Sequence, residues 1–246
     1  MEESGLRTML GTFKMRENNI YFLPANILGI IIGPSMSGKT TYLLNLLINH
    51  LDQKGRIIRP SVLNPDKIIL FAPTKSQPLY QNFLAMKEKC PTFCADVEAY
   101  SDLSKLPKHK ELDEGRKCVI IDDSIAMKDQ DKFIDYFTQG RHSNCDTFYV
   151  TQDYFKVPPI IRGQLNLIID FGSNKPKVVE DIYGRVDTEL DLKEFKKWYR
   201  TLKHVQDSEG LVKRVPKVLV FGVMDPGANE VKMLRDGILP VALPLD

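Results

Sequence analysis

Short apolar runs alternate with amphipathic stretches along most of the chain. Residues 27–32 (ILGIII) form a continuous apolar run rich in β-branched side chains, which is typical of a strand buried on both faces. Residues 40–51 carry leucines at helical spacing, so the order there is strand, loop, helix. Residues 67–71 and 76–90 repeat this order with a second strand and a second helix. Because each strand is followed by a helix, the pattern predicts parallel strands.

Residues 91–116 interrupt this alternation. They are polar and charged, and they predict loops around one short helix. Beyond them, the pattern predicts strands at 118–122, 146–152, 165–172 and 217–225, and helices at 129–141 and 191–205. The predicted fold is therefore an α/β domain of three layers with a mainly parallel central sheet.

The length favours one domain over all 246 residues. In this interpretation residues 1–26 are an N-terminal extension and residues 27–174 are the core. Residues 175–246 are a C-terminal part with a helix and an additional strand. A hydrophobic fraction of 43% and a charged fraction of 27% are ordinary for a soluble globular protein, and a net charge of +2 does not indicate a partner.

Nothing in the sequence predicts a membrane segment or a disulfide scaffold. The longest apolar stretch, residues 20–32, is interrupted by Pro24 and Asn26 and is too short to cross a bilayer. The four cysteines have neither the spacing of a zinc site nor the density of a disulfide scaffold. We therefore expect a soluble protein in a reducing compartment, with no membrane partner.

The loop after the first strand matches a Walker A motif. Gly33 and Gly38 flank four residues, and Lys39 and Thr40 follow immediately. In this motif the loop amides hold phosphates, the lysine bridges the β- and γ-phosphates, and the threonine ligates Mg²⁺. ATP and Mg²⁺ are therefore the expected cofactors. The expected nucleotide-binding residues are Gly33, Pro34, Ser35, Met36, Ser37, Gly38, Lys39, Thr40 and Thr41.

A second anchor for Mg²⁺ is expected from an aspartate at the end of a strand. Three apolar runs end in such a residue, namely Asp122, Asp170 and Asp225. Only Asp122 is followed by another acid, Asp123. Since successive side chains of a strand face opposite ways, both can serve one site only if the strand ends between them. Asp122 is then the metal ligand, and Asp123 orients or deprotonates the attacking water, as a hydrolase requires.

Two further residues extend this prediction of hydrolysis. Gln152 ends a strand expected beside the Walker strands, where its amide can bond both the γ-phosphate and the water. Arg141 lies at the preceding helix-to-strand turn, which suits an arginine finger that reaches the nucleotide of a neighbouring subunit. The expected catalytic residues are Asp123, Arg141, Gln152 and Lys39.

The combination of GPSMSGKTT, VIIDD and GRH followed by YVTQ resembles the FtsK/HerA superfamily of DNA-pumping ATPases. The branch it resembles is that of the genome-packaging ATPases of poxviruses, other large DNA viruses, virophages and Polinton-like elements. The resemblance covers about residues 28–171. Many cellular members have Glu at the position of Asp123.

This resemblance implies a RecA-like P-loop NTPase of the ASCE type that acts as a hexameric or pentameric ring. Its implied partners are double-stranded DNA and the proteins of the capsid or portal vertex, in a virion or at a viral assembly site in the host cell. It also implies the site roles given above, with Gln152 as sensor and Arg141 as a finger in trans.

A DNA motor needs cations that hold the phosphate backbone without sequence preference. The main candidate is the helix at 191–205, in which a basic face covers an apolar face. An amphipathic helix with a merely solvated basic side remains an alternative. The basic residues of that helix are Lys193, Lys196, Lys197, Arg200 and Lys203, and other candidate contacts are Lys108, Lys110, Lys128 and Lys132. Arg162 is left open as a finger, a sensor or a surface residue, and His142 as a packing or catalytic residue.

Two other functions stay open at this point. An assembly or switch ATPase that pumps no DNA would keep the same nucleotide site. A P-loop nucleotide kinase would need only the Walker A motif, but Asp123, Gln152 and the absence of an Arg-rich lid argue against it.

Overall fold

The computed structural model describes residues 26–74, 76–112, 114–124, 127, 130–140, 144–171, 175–185, 191–201, 205–206, 212–213 and 217–220. A central sheet runs through this part of the chain. Its strands are β1 (Leu28–Ile32), β4 (Lys67–Phe71), β5 (Asp96–Tyr100), β6 (Lys117–Asp122), β7 (Cys145–Thr151), β8 (Leu167–Asp170) and β11 (Lys217–Val220). Two small ribbons pair β2 (His50–Leu51) with β3 (Ile57–Arg59) and β9 (Val205–Gln206) with β10 (Val212–Lys213).

The helices lie on both faces of this sheet. They are α1 (Lys39–Asn45), α2 (Pro78–Lys89), α3 (Asp131–Gln139), α4 (Pro159–Gln164), α5 (Pro176–Tyr183) and α6 (Leu192–Thr201). Single 3₁₀ turns occur at Leu103–Lys105, His109–Glu111 and Tyr154–Lys156.

The strand order across the sheet is β11-β8-β1-β7-β6-β4-β5. Every neighbouring pair is parallel except β11 and β8, which are antiparallel. The strand that leads into the phosphate loop, β1, therefore lies between β7 and β8. The prediction of a mainly parallel sheet is confirmed.

The alternation of side chains along β1 divides the core into two apolar layers. Leu28, Ile30 and Ile32 face a layer completed by α3, α4, α5 and α6. Ile27 and Ile31 face the opposite layer, which α1 and α2 complete. These side chains are at most 1% exposed, so both faces of the strand are buried, as the continuous apolar run predicted.

Polar side chains at the start of the neighbouring strands fix the position of β1. The backbone amide of Ile27 donates to Asp146 Oδ1 at 2.8 Å, and that of Leu28 donates to Asn166 Oδ1 at 2.8 Å. Asn166 also donates from Nδ2 to the carbonyl of Asn26 at 2.7 Å. These bonds satisfy backbone groups that would otherwise be buried without partners.

The predicted helix at 40–51 is wrong in its second half. Helix α1 ends at Asn45, and His50–Leu51 forms a strand instead. The side chain of Asn49 explains the change, since it donates to the carbonyl of Thr92 at 2.8 Å and accepts from the amide of Ser61 at 2.8 Å. Leu46 and Leu47 are buried although they lie beyond the end of α1. The spacing of the leucines therefore indicated which side chains are buried, but not how far the helix extends.

Besides the two small ribbons, one strand of the central sheet and two helices were not predicted. Strand β5 lies within the polar stretch 91–116, at the edge of the sheet where its side chains are only half-buried. Helix α4 replaces a predicted connection between two strands, and α5 begins at Pro176, inside the C-terminal part.

The described portion of the C-terminal part packs with the rest of the fold. Phe195 and Tyr199 of α6 belong to the same apolar layer as α3, and β11 extends the sheet beside β8. Most of the N-terminal extension, residues 1–25, lies outside the described residues, as do residues 221–225 of the last predicted strand.

Substitution of Gly29 by Ala should destabilise the fold. An added Cβ would lie 2.9 Å from Cδ1 of Phe148 on β7 and 3.1 Å from Cγ2 of Ile27. Overpacking of this kind costs about 1–3 kcal/mol, so the midpoint of urea unfolding should fall.

Gly163→Ala is the matched control, because nothing lies within 4 Å of its added Cβ and the residue is in helix α4. It should leave stability unchanged or raise it by up to about 1 kcal/mol. Equal midpoints for the two variants would contradict the tight packing of β1 against β7.

Candidate active site

The phosphate loop connects the end of β1 to the beginning of α1. Gly33 and Gly38 have φ values of +153° and +88°, which residues other than glycine rarely adopt. A Cβ on Gly33 would also lie 2.6 Å from Cβ of Phe171, the residue that follows β8. The loop is therefore pressed against the neighbouring strand end, and Gly33 cannot be replaced without a shift of one of them.

Two side chains of the loop region are suited to a phosphate. The Oγ of Ser37 is buried and has no hydrogen-bond partner among the described residues. Lys39 is 8% exposed and donates from Nζ to the carbonyls of Gly33 at 2.9 Å and Pro34 at 2.7 Å. Burial lowers the pKa of Lys39, and the carboxylates of Asp122 and Asp123 oppose this shift. A hydroxyl without a hydrogen-bond partner, as in Ser37, and a poorly hydrated ammonium group, as in Lys39, are suited to bind an anionic ligand.

Thr40 and Asp122 are in direct contact. Thr40 Oγ1 donates to Asp122 Oδ2 at 2.9 Å, which joins the first turn of α1 to the last residue of β6. Burial raises the pKa of Asp122, while hydrogen bonds from Tyr80 and Thr40 act in the opposite direction. A hydroxyl and a carboxylate oxygen are the ligand types that Mg²⁺ prefers, so these two residues fit the expected metal.

The expected break between the two acids is present. Strand β6 ends at Asp122, and Asp123 has a left-handed backbone with φ +51°. Asp122 is buried and Asp123 is exposed. The two carboxylates therefore have different surroundings, although they are adjacent in sequence.

The other two strand-end aspartates differ from Asp122. Asp170 is fully buried and accepts a hydrogen bond from the hydroxyl of Tyr199, on the far side of β1 from Asp122. Burial raises the pKa of Tyr199, and Asp170 adds to this effect. Asp225 lies outside the described residues.

Gln152 lies at the same edge of the sheet. Val150 of β7 pairs with Ile31 of β1 and with Asp122 of β6, so Gln152, two residues later, follows the strand end between them. Its side chain is exposed. Arg141 and His142 lie outside the described residues, so the roles expected of them stay predictions.

The structure gives Arg162 a packing role, which is not one of the three alternatives, a finger, a sensor or a surface residue, that the sequence left open. Its guanidinium carbon lies 5.3 Å from the ring centroid of Tyr154 and 5.2 Å from that of Phe155. Its Nη1 is 3.3 Å from Asp181 Oδ1, and its Nε donates to the carbonyl of Val157 at 3.2 Å. The side chain thus binds α4 to α5 within its own subunit.

The basic DNA-contact candidates fall into different groups. Lys196 forms an ion pair of 2.6 Å with Glu180 of α5, and Lys132 donates to the carbonyls of Leu103 and Leu106 at 2.9 Å each. Lys193 and Lys197 of α6 are exposed. Lys108 and Lys110 are exposed beside a 3₁₀ turn, whereas Lys128, Lys203 and the side chain of Arg200 lie outside the described parts.

Sequence reasoning missed Tyr80 as a member of the site. This residue is in the first turn of α2, is fully buried, and donates from its hydroxyl to Asp122 Oδ2. Burial raises the pKa of Tyr80, and the carboxylate of Asp122 raises it further. The contact depends on β4 being the neighbour of β6, which no local spacing reveals.

Metal-binding clusters of other kinds do not occur in the described part of the chain. No group of three His, Cys, Asp or Glu side chains is close enough to hold a metal there. All four cysteines are free. Among the described helices, none has the length and apolar character required to cross a bilayer.

Known proteins provide one family match and several distant structural matches. The model of the family described as "Poxvirus A32 protein" matches residues 18–182. No curated protein is similar enough to count as a match.

The solved structures that are similar include the genome packaging NTPase B204 from Sulfolobus turreted icosahedral virus 2. In complex with AMP it is 17% identical with a TM-score of 0.48, over 87% of this chain and 98% of that chain. In complex with ATP-gammaS the values are 15% and 0.45 over the same shares. EssC (ATPases 2 and 3) from Geobacillus thermodenitrificans is 14% identical with a TM-score of 0.42, over 83% of this chain and 41% of that chain.

The family match covers more than half of the chain and includes the phosphate loop, the acidic pair and Gln152. The resemblance inferred from GPSMSGKTT, VIIDD and YVTQ is therefore confirmed. The chain belongs to the poxvirus A32 family of genome-packaging ATPases.

Proposed function

We propose that this chain hydrolyses ATP to move double-stranded DNA into a preformed viral capsid. The observation that carries the proposal is the hydrogen bond between Thr40 and Asp122, with Asp123 turned out of the strand beside it. This arrangement brings three features to one edge of the sheet: the phosphate loop, the buried carboxylate of Asp122, which is suited to bind a metal, and the exposed carboxylate of Asp123. It supports an ATPase, and the family membership supports genome packaging as its purpose.

In this proposal residues 33–41 bind the nucleotide. The loop amides and the hydroxyl of Ser37 hold the phosphates, and Lys39 exchanges its two carbonyl partners for phosphate oxygens. Thr40 and Asp122 would hold Mg²⁺, which when bound neutralises charge on the phosphates. The low hydration of Lys39 makes its ion pair with a phosphate stronger than it would be in water.

Asp123 and Gln152 act on the attacking water. Asp123 is exposed beside the buried Asp122, so its carboxylate is accessible to a water. Asp123 orients that water and accepts its proton, and the amide of Gln152 bonds the water and the γ-phosphate. A kinase would instead exclude water and would have no use for this exposed acid, which is why hydrolysis is favoured.

The proposal also includes the oligomeric state and the partners of the protein. We propose a ring of five or six copies in which Arg141 of one subunit completes the site of the next. Lys193 and Lys197, the two exposed lysines described on α6, contact the DNA backbone. The ring acts at the portal vertex of the capsid, in the virion or at the site of virus assembly.

The substitution Asp123→Asn should lower kcat for ATP hydrolysis by about 100-fold or more, because an amide cannot accept the proton of the water. Nucleotide affinity should change by less than about two-fold, since Asp123 is not part of the loop that holds the phosphates. The measurements are phosphate release and binding of a fluorescent ATP analogue. Asp135→Asn, at an exposed position on α3, is the control. Unchanged turnover in Asp123→Asn would exclude this residue as the base.

Double-stranded DNA should stimulate the ATPase, and the stimulation should fall as salt rises, because the contact is electrostatic. The double substitution of Lys193 and Lys197 by Ala should reduce the stimulation by about ten-fold at moderate salt and leave basal hydrolysis unchanged. Lys177→Ala, at an exposed position on α5, is the matched control. Stimulation that withstands high salt, or that needs neither lysine, would contradict a track on α6. A complete lack of stimulation would favour an assembly ATPase.

Mixtures of wild type with Arg141→Ala should lose activity faster than the fraction of variant subunits rises. Each variant subunit would disable its neighbour's site as well as any step that the ring shares. The measurement is ATPase rate against mixing ratio at constant total protein. A strictly proportional decline would count against both the ring and a finger in trans.

A further inference from the structure

We propose that Tyr80 is a positioning residue that holds the Asp122 carboxylate in the orientation that the metal requires. This inference rests on the proposed function, because it adds a further residue to the proposed Mg²⁺ site. Tyr80 belongs to α2 and not to the phosphate loop, and it is expected to act through Asp122.

The path from the sequence to this contact runs through the sheet. Strand β4 lies beside β6, and α2 begins seven residues after β4 ends. Tyr80 is the third residue of α2 and is fully buried in the apolar layer formed with α1. Its ring fills that layer, and its hydroxyl is the polar end that reaches Asp122 Oδ2.

Thr40 and Tyr80 bind the same carboxylate oxygen. Thr40 Oγ1 donates to Asp122 Oδ2 at 2.9 Å, and the hydroxyl of Tyr80 donates to that oxygen as well. The backbone amide of Asp123, like the two hydroxyls, acts to lower the pKa of the Asp122 carboxyl. A carboxylate group otherwise rotates over a broad range about its last torsion, so these donors decide which way its oxygens point.

The two hydroxyl donors have different expected dependence on the nucleotide. Thr40 belongs to the phosphate loop and is itself a proposed metal ligand, so its surroundings change when nucleotide binds. Tyr80 belongs to a different helix, and although its hydroxyl also interacts with the side chain of Thr40, its ring is held in the apolar layer, so we expect its hydrogen bond to Asp122 to be present with or without nucleotide. Tyr80 thereby prepares the carboxylate before the metal arrives, which lowers the cost of binding.

A purely structural role for Tyr80 makes a different prediction. In that case the hydroxyl only satisfies a buried carboxylate, and its loss would lower the stability of the fold without changing the response to Mg²⁺. The dependence of nucleotide binding on Mg²⁺ therefore separates the two roles.

Tyr42 provides a matched control in the same layer. It lies on α1, two residues after Thr40, and its hydroxyl is buried with no hydrogen-bond partner among the described residues. Its ring packs edge-on against Phe171 at a centroid distance of 5.5 Å. Tyr42→Phe removes a buried phenol oxygen close to the phosphate loop, as Tyr80→Phe does, but breaks no bond to Asp122.

The experiment titrates MgCl₂ into full-length wild type, Tyr80→Phe and Tyr42→Phe with a fluorescent ADP analogue, and repeats the binding in EDTA. Tyr80→Phe should raise the Mg²⁺ concentration for half-maximal binding by about 10-fold, the lower end of the usual effect for an outer partner of a metal ligand. Its affinity for the analogue in EDTA should stay within about two-fold of wild type. Tyr42→Phe should match wild type in both conditions.

A Mg²⁺ midpoint in Tyr80→Phe within two-fold of wild type would overturn the assignment of Tyr80. An equal loss of affinity in EDTA and in MgCl₂ would overturn it too, because it would indicate general damage to the layer. If wild type itself shows no dependence on Mg²⁺, the metal site of the proposed function fails, and this result is distinct from a failure of Tyr80.

A second measurement keeps the hydroxyl and does not depend on how well Tyr80→Phe folds. 3-Fluorotyrosine at position 80 should change its ¹⁹F chemical shift when ADP with MgCl₂ is added, and change much less with ADP in EDTA. The same label at position 42 reports general changes of the layer. Equal responses in both conditions at position 80 would contradict a link between Tyr80 and the metal.

Discussion

The hydrogen bond between Thr40 and Asp122 is the contact on which the site depends, because it joins two segments that are 82 residues apart in the chain. It can form only because β1 and β6 are both parallel neighbours of β7, with the same direction and matching registers. The carboxyl end of β7 lies between them and adds Gln152 to the same edge. The sheet order therefore brings the functional residues together, since Asp122, Asp123 and Gln152 lie at or just after the ends of their strands and the phosphate loop follows the end of β1.

Burial of charge at this edge carries a cost that the surrounding layer partly offsets. Burial raises the pKa of Asp122 and lowers that of Lys39, so the charged form of each group is less stable here than it would be in water. A tyrosine hydroxyl compensates on each side of β1, with Tyr80 bonded to Asp122 and Tyr199 bonded to Asp170. The two tyrosines come from opposite apolar layers, so both layers contribute to the environment of the phosphate loop. Instability of this kind is common where a site must bind charged ligands.

The parts of the fold and site that could be predicted are those in which the signal is local. The apolar run of β1, the spacing of Gly33, Gly38 and Lys39, and the acidic pair at the end of β6 are each contained in a few consecutive residues. Strand β5 was missed because an edge strand is only half-buried and can therefore be polar. The end of α1 was misplaced because buried leucines keep a helical spacing in an irregular segment. The contact of Tyr80 with Asp122 depends on strand order and packing, which no single stretch of sequence records.

The central position of β1 also determines when the site can exist during synthesis. The amide of Ile27, just before β1, bonds the side chain of Asp146, 119 residues later in the chain, and the amide of Leu28 bonds that of Asn166, 138 residues later. The phosphate loop is among the first described segments to leave the ribosome, yet both strands that enclose β1 are made only after most of the chain. Contacts of such long range form slowly, and the apolar run of β1 stays without its partners until then. A nascent or truncated chain that ends before residue 145 therefore carries the whole Walker A sequence without either of the strands that enclose β1.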